Sequence, residues 1–140
     1  MATIKEAAEF ANTNRTAYLA TCEGDQPRVR ALGMWYADET GFYFQAQTVK
    51  AMCKQLEKNP KVEASFTDGK TVLRVAGKVK FITDKAVRAR CIEERPFVKN
   101  FGITDPDNPL LAVFQIFTGE AFFWTFADSM KEADLPRIKF

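Results

Sequence analysis

Two arginines in one short segment have the residue type and spacing to bind an anion. Arg28 and Arg30 lie two residues apart within 28–36, which has the composition of a β-strand, so their side chains share one face. That face is otherwise apolar, and guanidinium groups match the oxygen geometry of phosphate. The same spacing also fits two side chains at the solvated end of an edge strand, and the sequence leaves both interpretations open.

A second candidate anion site lies in Gln45–Lys50, where a predicted strand passes into a predicted helix. The first turn of a helix presents free N–H groups and a partial positive charge. The Thr48 hydroxyl, interpreted as the helix cap, and the Lys50 ammonium would complete a phosphate site there. Lys54 lies one turn further on the same side. Alternatively, these lysines form a solvated helix face, as most such runs do.

The two segments are expected to lie side by side. The arginine strand is predicted to form a hairpin with the strand that feeds this helix, so the positive side chains can be neighbours. The amides of Gln45 and Gln47, at the end of that second strand, suit polar ring edges and hydroxyl groups. Together the segments predict a site for a small ligand that carries a phosphate.

The elements that must hold these side chains are predicted from hydrophobic periodicity and turn residues. Seven strands are expected, at 16–22, 28–36, 42–46, 61–67, 71–82, 111–117 and 121–126. Three helices are expected, at 4–12, 49–58 and 84–94, and the polar end from Asp128 is expected to be loosely held. Short strands in hairpin order predict a mainly β, α+β fold: an antiparallel barrel with flanking helices, formed by residues 1–140 as one domain.

Composition excludes several kinds of chemistry. The chain has no histidine, which removes Ser-His and Cys-His nucleophilic pairs, HExxH metal sites and histidine-ligated haem. Its three cysteines show no CxxC spacing, so neither a metal site nor a disulfide framework is expected. The formal net charge of +2 gives no field that points to nucleic acid or a membrane. Without a signal peptide or a membrane-spanning stretch, a cytoplasmic location is expected.

Several motifs, in their order and spacing, resemble one known family. They are Tyr18-Leu-Ala-Thr, Gly24-Asp-Gln-Pro-Arg-Val-Arg, Gly41-Phe-Tyr-Phe, Thr48-Val-Lys, Lys54-Gln-Leu-Glu-Lys-Asn-Pro-Lys-Val and Arg74-Val-Ala-Gly-Lys-Val. Over residues 4–126 the chain resembles the pyridoxamine-5′-phosphate-oxidase-like, FMN-binding split β-barrels. The resemblance implies an antiparallel split β-barrel that works as a homodimer, with FMN at the dimer interface.

The resemblance also implies where FMN would make contact. The strand arginine and the residues after it would reach the flavin, as would the end of the third strand. The start of the second helix would bind the phosphate, and a tryptophan would come from the other subunit. Together with the positive side chains of the two segments, the candidates are Arg28, Arg30, Ala31, Leu32, Gly33, Gln45, Ala46, Gln47, Thr48, Lys50, Lys54 and Trp124.

The chain departs from true pyridoxamine phosphate oxidases in two places. Those enzymes carry an adjacent Arg-Lys at the start of the phosphate-binding helix, where this chain has Ala51-Met52 and Lys50 is offset. They also carry a C-terminal extension with a substrate-binding Arg and His, whereas this chain ends at Phe140 and has no histidine. We therefore expect no oxidation of pyridoxamine phosphate. The chain is more similar to short, functionally diverse members, some of which resemble nitroimidazole-resistance flavoproteins.

The expected function is that of an FMN oxidoreductase, which transfers a hydride between FMN and a small molecule, with NAD(P)H as the candidate electron donor. The alternative is an FMN carrier or sensor without turnover of its own. A nucleic-acid-binding barrel ranks last, because the aromatic residues lie in apolar strands rather than along a basic stripe. Segment 111–126 carries more aromatic surface than one small core can bury, which also favours a homodimer.

Overall fold

One antiparallel sheet of eight strands forms the centre of the protein, whose computed structural model describes residues 1–140. The strands are β1 (Thr16–Glu23), β2 (Gln26–Gly33), β3 (Tyr36–Asp38), β4 (Gly41–Gln47), β5 (Lys61–Thr67), β6 (Thr71–Phe81), β7 (Leu111–Thr125) and β8 (Ile138–Lys139). The helices are α1 (Ile4–Thr13), α2 (Ala51–Lys58) and α3 (Lys85–Glu94), and a 3-10 segment, Pro96–Phe101, follows α3. The expected mainly β, α+β fold is confirmed.

The strands follow an open path across the sheet. Their order is β2-β1-β5-β6-β7-β4-β3, and β8 pairs with β7 outside this path. Every paired neighbour is antiparallel. The edge strands β2 and β3 do not pair with each other, so the sheet curves without closing.

The starts of the helices differ in how they are capped. The Thr3 side chain accepts a hydrogen bond from the Glu6 N–H at the start of α1, and Asp84 caps α3 in the same way. Such caps satisfy N–H groups that have no partner within the helix. The N-cap residue of α2 is Lys50, which makes no side-chain cap bond. None of the helices has the length and apolar composition needed to cross a membrane.

Two buried clusters hold the elements together. The larger lies on the inner face of the sheet and includes Phe42, Phe44, Phe66 and Phe114, all without exposed surface. Each such side chain contributes about 1.5–3 kcal/mol by leaving water. The smaller cluster joins α3 and the segment after it to the strands, through Trp35, Tyr43, Cys91, Ile92, Val98, Ile103, Leu111 and Val113.

The strand expected at 28–36 is two strands in the structure. β2 ends at Gly33, and β3 begins at Tyr36 on the opposite edge of the sheet. Met34 and Trp35 are both buried, which breaks the alternation that a single strand would show. The arginine strand therefore does not form a hairpin with β4, because β3 takes that place.

The strands expected at 111–117 and 121–126 form one continuous strand, β7. The residues expected to join them, Thr118 and Gly119, lie inside β7 and pair with β6, whose register shifts once between Lys78 and Val79. The end of the chain was expected to be loosely held, whereas its last residues form β8. Ile138 is buried there and pairs with Ala121.

Candidate functional site

The candidate site is a cavity of about 500 Å³ where β2, β4, α2 and the segment after α3 meet. Small-molecule pockets have volumes of about 300–1,000 Å³. Because β2 and β4 lie near opposite ends of the strand order, curvature of the sheet brings them together. The lining residues are Arg30, Ala31, Leu32, Gly33, Gln45, Ala46, Gln47, Lys50, Ala51, Met52, Arg95, Phe97 and Phe101.

Eight of the predicted binding residues line this cavity. They come from the three expected places: the second half of β2, the end of β4 and the start of α2. They are Arg30, Ala31, Leu32, Gly33, Gln45, Ala46, Gln47 and Lys50. The structure therefore brings the two positive segments to one site, although by a different route from the predicted hairpin.

Arg30 brings a fixed positive charge to the cavity wall. Its Nη1 donates to the Thr21 hydroxyl at 2.8 Å and to the Leu19 carbonyl at 3.2 Å, and its Nη2 donates to Gln55 Oε1 at 2.8 Å. None of these acceptors is charged. Burial, and then the nearby Arg28, lower the pKa of Arg30 below its ordinary value, although a guanidinium stays protonated at neutral pH. The charge is thus held in place without a carboxylate partner.

Two buried polar atoms at the cavity have no partner within the protein. Gln45 Nε2 and Arg95 Nε are shielded from solvent and make no hydrogen bond. A buried donor without an acceptor costs about 1–3 kcal/mol, so proteins rarely leave one unsatisfied. Because both residues line the cavity, a ligand with acceptor atoms would satisfy these donors once their side chains turn toward it.

The start of α2 adds a second positive feature. Lys50, Ala51 and Met52 all line the cavity, and they form the N-cap and first turn of this helix. No side chain caps the helix, so the N–H groups of its first turn have no partner from a cap. Together with the helix dipole and the Lys50 ammonium, they favour an anionic group such as a phosphate.

Arg28 and Thr48 lie outside the cavity. Arg28 is exposed near the β1-β2 turn, and its Nη2 pairs with the Glu23 carboxylate at 2.8 Å. The interpretation of Thr48 as the cap of α2 is wrong, because the helix begins three residues later, at Ala51. The Thr48 hydroxyl instead donates to the Pro109 carbonyl at 2.9 Å and ties the turn to the loop before β7.

Lys54 and Trp124 also lie outside the cavity. Lys54 lines a small separate groove beside Glu23. Trp124 pairs with Val72 across β6 and β7. Because neighbouring side chains in a strand alternate, Trp124 is on the face opposite to Phe123, which packs against the inner core. Within one chain, Trp124 therefore makes no contribution to the cavity.

One wall of the cavity, formed by Arg95, Phe97 and Phe101, was not among the predicted site residues. Arg95 Nη1 donates to the Met34 carbonyl at 3.1 Å, and its guanidinium lies 4.9 Å from the Phe97 ring centre. Burial is the main cause that lowers the pKa of Arg95. Phe97 and Phe101 are 45% and 51% exposed, so they offer aromatic surface to a ligand. The available sequence signal was an arginine followed by two phenylalanines just after a helix end.

An aromatic cluster holds α3, and with it this wall, in place. The Arg90 guanidinium lies 5.2 Å from the Trp35 ring centre and 5.0 Å from that of Tyr36, and its Nη2 donates to the Tyr36 hydroxyl at 2.6 Å. Trp35 Nε1 donates to Glu94 at 3.1 Å. Burial raises the pKa of Tyr36 to about 12, so its hydroxyl remains protonated at neutral pH. These contacts fix the helix end from which Arg95 extends.

The chain matches the family model for pyridoxamine 5′-phosphate oxidase over residues 3–125. The match spans the elements that line the cavity, including the missed wall after α3. No curated protein matches the chain in sequence.

Solved structures share the fold along nearly the whole chain. A NimC/NimA family protein from Clostridium acetobutylicum is 30% identical, with a TM-score of 0.79, and the alignment covers 98% of this chain and 93% of that one. General stress protein 26 from Bacillus anthracis is 15% identical, with a TM-score of 0.73 and coverage of 97% and 98%. A pyridoxamine 5′-phosphate oxidase-related, FMN-binding protein from Nostoc punctiforme is 15% identical, with a TM-score of 0.72 and coverage of 96% and 93%. At 15% identity, the Bacillus anthracis and Nostoc punctiforme structures show a shared fold only.

Proposed function

Because the chain belongs to the pyridoxamine 5′-phosphate oxidase family, we propose that it binds FMN in the cavity between β2, β4 and α2. The observation that carries this proposal is the buried Gln45 Nε2, which has no partner within the protein. The polar edge of a flavin ring carries carbonyl and nitrogen acceptors that would supply the missing partner. The Nostoc punctiforme neighbour, described as FMN binding, is consistent with this assignment.

The cavity residues divide into two groups that fit the two ends of FMN. Lys50, Arg30 and the first-turn N–H groups of α2 would bind the phosphate, because all are positive or donate hydrogen bonds. Gln45 and Gln47 would bind the ring edge and the ribityl hydroxyls. When bound, FMN would supply the capacity to accept or donate a hydride, which protein side chains lack.

The proposed activity is hydride transfer between FMN and a small molecule, with NAD(P)H as the electron donor. The substrate would enter at the open side of the cavity, where Phe97 and Phe101 are half exposed. Arg95, whose Nε is buried and unpartnered, would bind an anionic or hydrogen-bond-accepting group of the substrate. The aromatic rings favour a planar molecule.

One observation favours the second candidate, an FMN carrier or sensor. No Asp, Glu, Cys or Tyr side chain lines the cavity, and the chain has no histidine. The protein therefore offers no neutral acid or carboxylate base at the site. A steady-state assay with NAD(P)H and an electron acceptor separates the two functions, since a carrier or sensor would show no turnover.

The central test is the cofactor of the purified protein. We expect a yellow protein that releases FMN rather than FAD on denaturation, because the site offers one compact phosphate-binding region. Absorption spectra and chromatography of the released flavin measure this directly. A preparation that is colourless, and stays so after incubation with FMN and removal of the excess, would contradict the proposal.

A further inference from the structure

We propose that Gln55 is a positioning residue that aims the Arg30 guanidinium at the ligand phosphate while leaving its charge unpaired. This inference rests on the proposed FMN binding and extends it to a residue that does not line the cavity. Gln55 lies on α2 and is only 6% exposed, although glutamine is usually a surface residue. Its burial therefore needs a reason in the hydrogen bonds that it makes.

Gln55 Oε1 is a shared acceptor. It accepts from Arg30 Nη2 at 2.8 Å and from the Thr21 hydroxyl at 2.6 Å, and the Thr21 oxygen itself accepts from Arg30 Nη1 at 2.8 Å. The three side chains form a closed triangle that joins α2, β1 and β2. Since α2 begins at the cavity, the triangle also holds the start of this helix in place relative to Arg30.

Gln55 lies between Arg30 and the Glu23 carboxylate. Gln55 Nε2 lies 3.4 Å from Glu23 Oε2, and the other Glu23 oxygen pairs with Arg28 at 2.8 Å. That pairing and its hydrogen bonds lower the pKa of Glu23, so this carboxylate stays charged. Lys54 and Lys58 line the same small groove. The neutral amide thus holds Arg30 by hydrogen bonds alone, and its positive charge remains available to an anion.

A purely structural role predicts a different outcome. Loss of a buried network would loosen α2 against β1 and reduce the affinity for any flavin. A positioning role acts through the phosphate, so it separates FMN from riboflavin, which lacks this group. The comparison of the two ligands therefore distinguishes the roles without any measurement of enzyme activity.

The test compares wild-type protein with Gln55→Met, Gln55→Glu and the control Glu57→Gln, which changes an exposed side chain of the same helix. Affinities for FMN and riboflavin are measured by flavin fluorescence titration, and thermal unfolding shows whether each variant is folded.

We expect Gln55→Met to weaken FMN binding about tenfold, because it removes the acceptor that holds Arg30. We expect Gln55→Glu, which keeps an oxygen but pairs the charge, to weaken it about a hundredfold. Riboflavin affinity should change by no more than about twofold in any variant.

The outcomes separate the inference from the proposed function. Parallel weakening of FMN and riboflavin would overturn the positioning role, as would a Gln55→Glu protein that binds FMN as tightly as wild type. Gln55→Glu preserves the shape of the side chain but places a carboxylate beside Glu23, whereas Gln55→Met is uncharged, so each variant serves as the test if the other does not fold. A wild-type protein without affinity for FMN would overturn the proposed function, and this inference with it.

Discussion

Two lysines near α2 have different surroundings, although both were predicted to bind a phosphate. Lys50 lines the cavity at the uncapped start of α2, whereas Lys54 lies in the separate groove beside Glu23. We predict that Lys50→Ala weakens FMN binding by about 1–3 kcal/mol, the scale of a lost charge-assisted hydrogen bond. Riboflavin should bind both proteins alike, and calorimetric titration with each flavin measures the difference.

The matched control for this prediction is Lys54→Ala. It removes the same charge from the same helix, so any general electrostatic effect on FMN would appear in both variants. We expect Lys54→Ala to leave FMN affinity nearly unchanged. Equal weakening by the two substitutions would show that Lys50 makes no specific contact with the phosphate.

The sequence predicted the local parts of the site and missed the part that depends on long-range packing. Arg30 and Gln45 were recognised because strand alternation and the strand-to-helix junction are visible within a few residues. Arg95 reaches the site through the Met34 carbonyl, 61 residues away in the chain. No periodicity links positions so far apart, since the contact depends on how α3 packs against Trp35 and Tyr36.

At the scale of elements, β6 and β7 approach each other closely at a point where two glycines are paired. Gly77 and Gly119 are register partners, and a Cβ on Gly119 would lie 2.1 Å from the Ala76 carbonyl oxygen. That atom belongs to the backbone, so the strands would have to move apart. We predict that Gly119→Ala lowers the free energy of unfolding by about 1–3 kcal/mol, as measured by urea denaturation.

Gly33→Ala is the control for the strand prediction. A Cβ there would have its nearest neighbour at 3.7 Å, an ordinary contact, and the backbone of β2 is already extended. We expect its free energy of unfolding to stay the same or to rise by about 0.4–1 kcal/mol, because alanine has fewer unfolded conformations. If Gly119→Ala were no less stable than Gly33→Ala, the close approach of β6 and β7 would not be what requires glycine.

Gly119 also explains why β7 was predicted as two strands, whereas β5 was predicted correctly. Thr118-Gly119 was interpreted as a connection because glycine is common in turns. In the structure the same residue permits a close approach inside one long strand, and a single sequence does not distinguish the two uses. By contrast, β5 was predicted with its observed bounds, Lys61–Thr67, because its alternation lies between a proline and an Asp-Gly turn.

At the scale of the whole molecule, the outer face of the sheet mixes apolar and charged side chains, some of them exposed. Strand register places Ala31, Tyr18, Ser65, Arg74 and Phe122 side by side across five strands. Tyr18 is 47% exposed, while Phe122 is covered by the Arg137 guanidinium, 3.9 Å from its ring centre. Arg74 on this face pairs with Glu132 at 2.6 Å. The mixture of apolar groups and both signs of charge makes the face suitable for contact with a second copy of itself.

We propose that two chains associate through this face, and that Trp124 of one chain then contacts the FMN of the other. Because a residue of each chain would complete the FMN site of the other, FMN should tighten the dimer by mass action. Sedimentation velocity with and without FMN measures this linkage.

Trp124→Ala should weaken both FMN binding and association while far-UV circular dichroism remains unchanged, because the side chain lies opposite the inner core. Met130→Ala, which removes an apolar side chain that is 96% exposed beyond β7, is the control and should change neither. A monomer that binds FMN tightly and stoichiometrically would contradict both the dimer and the role of Trp124.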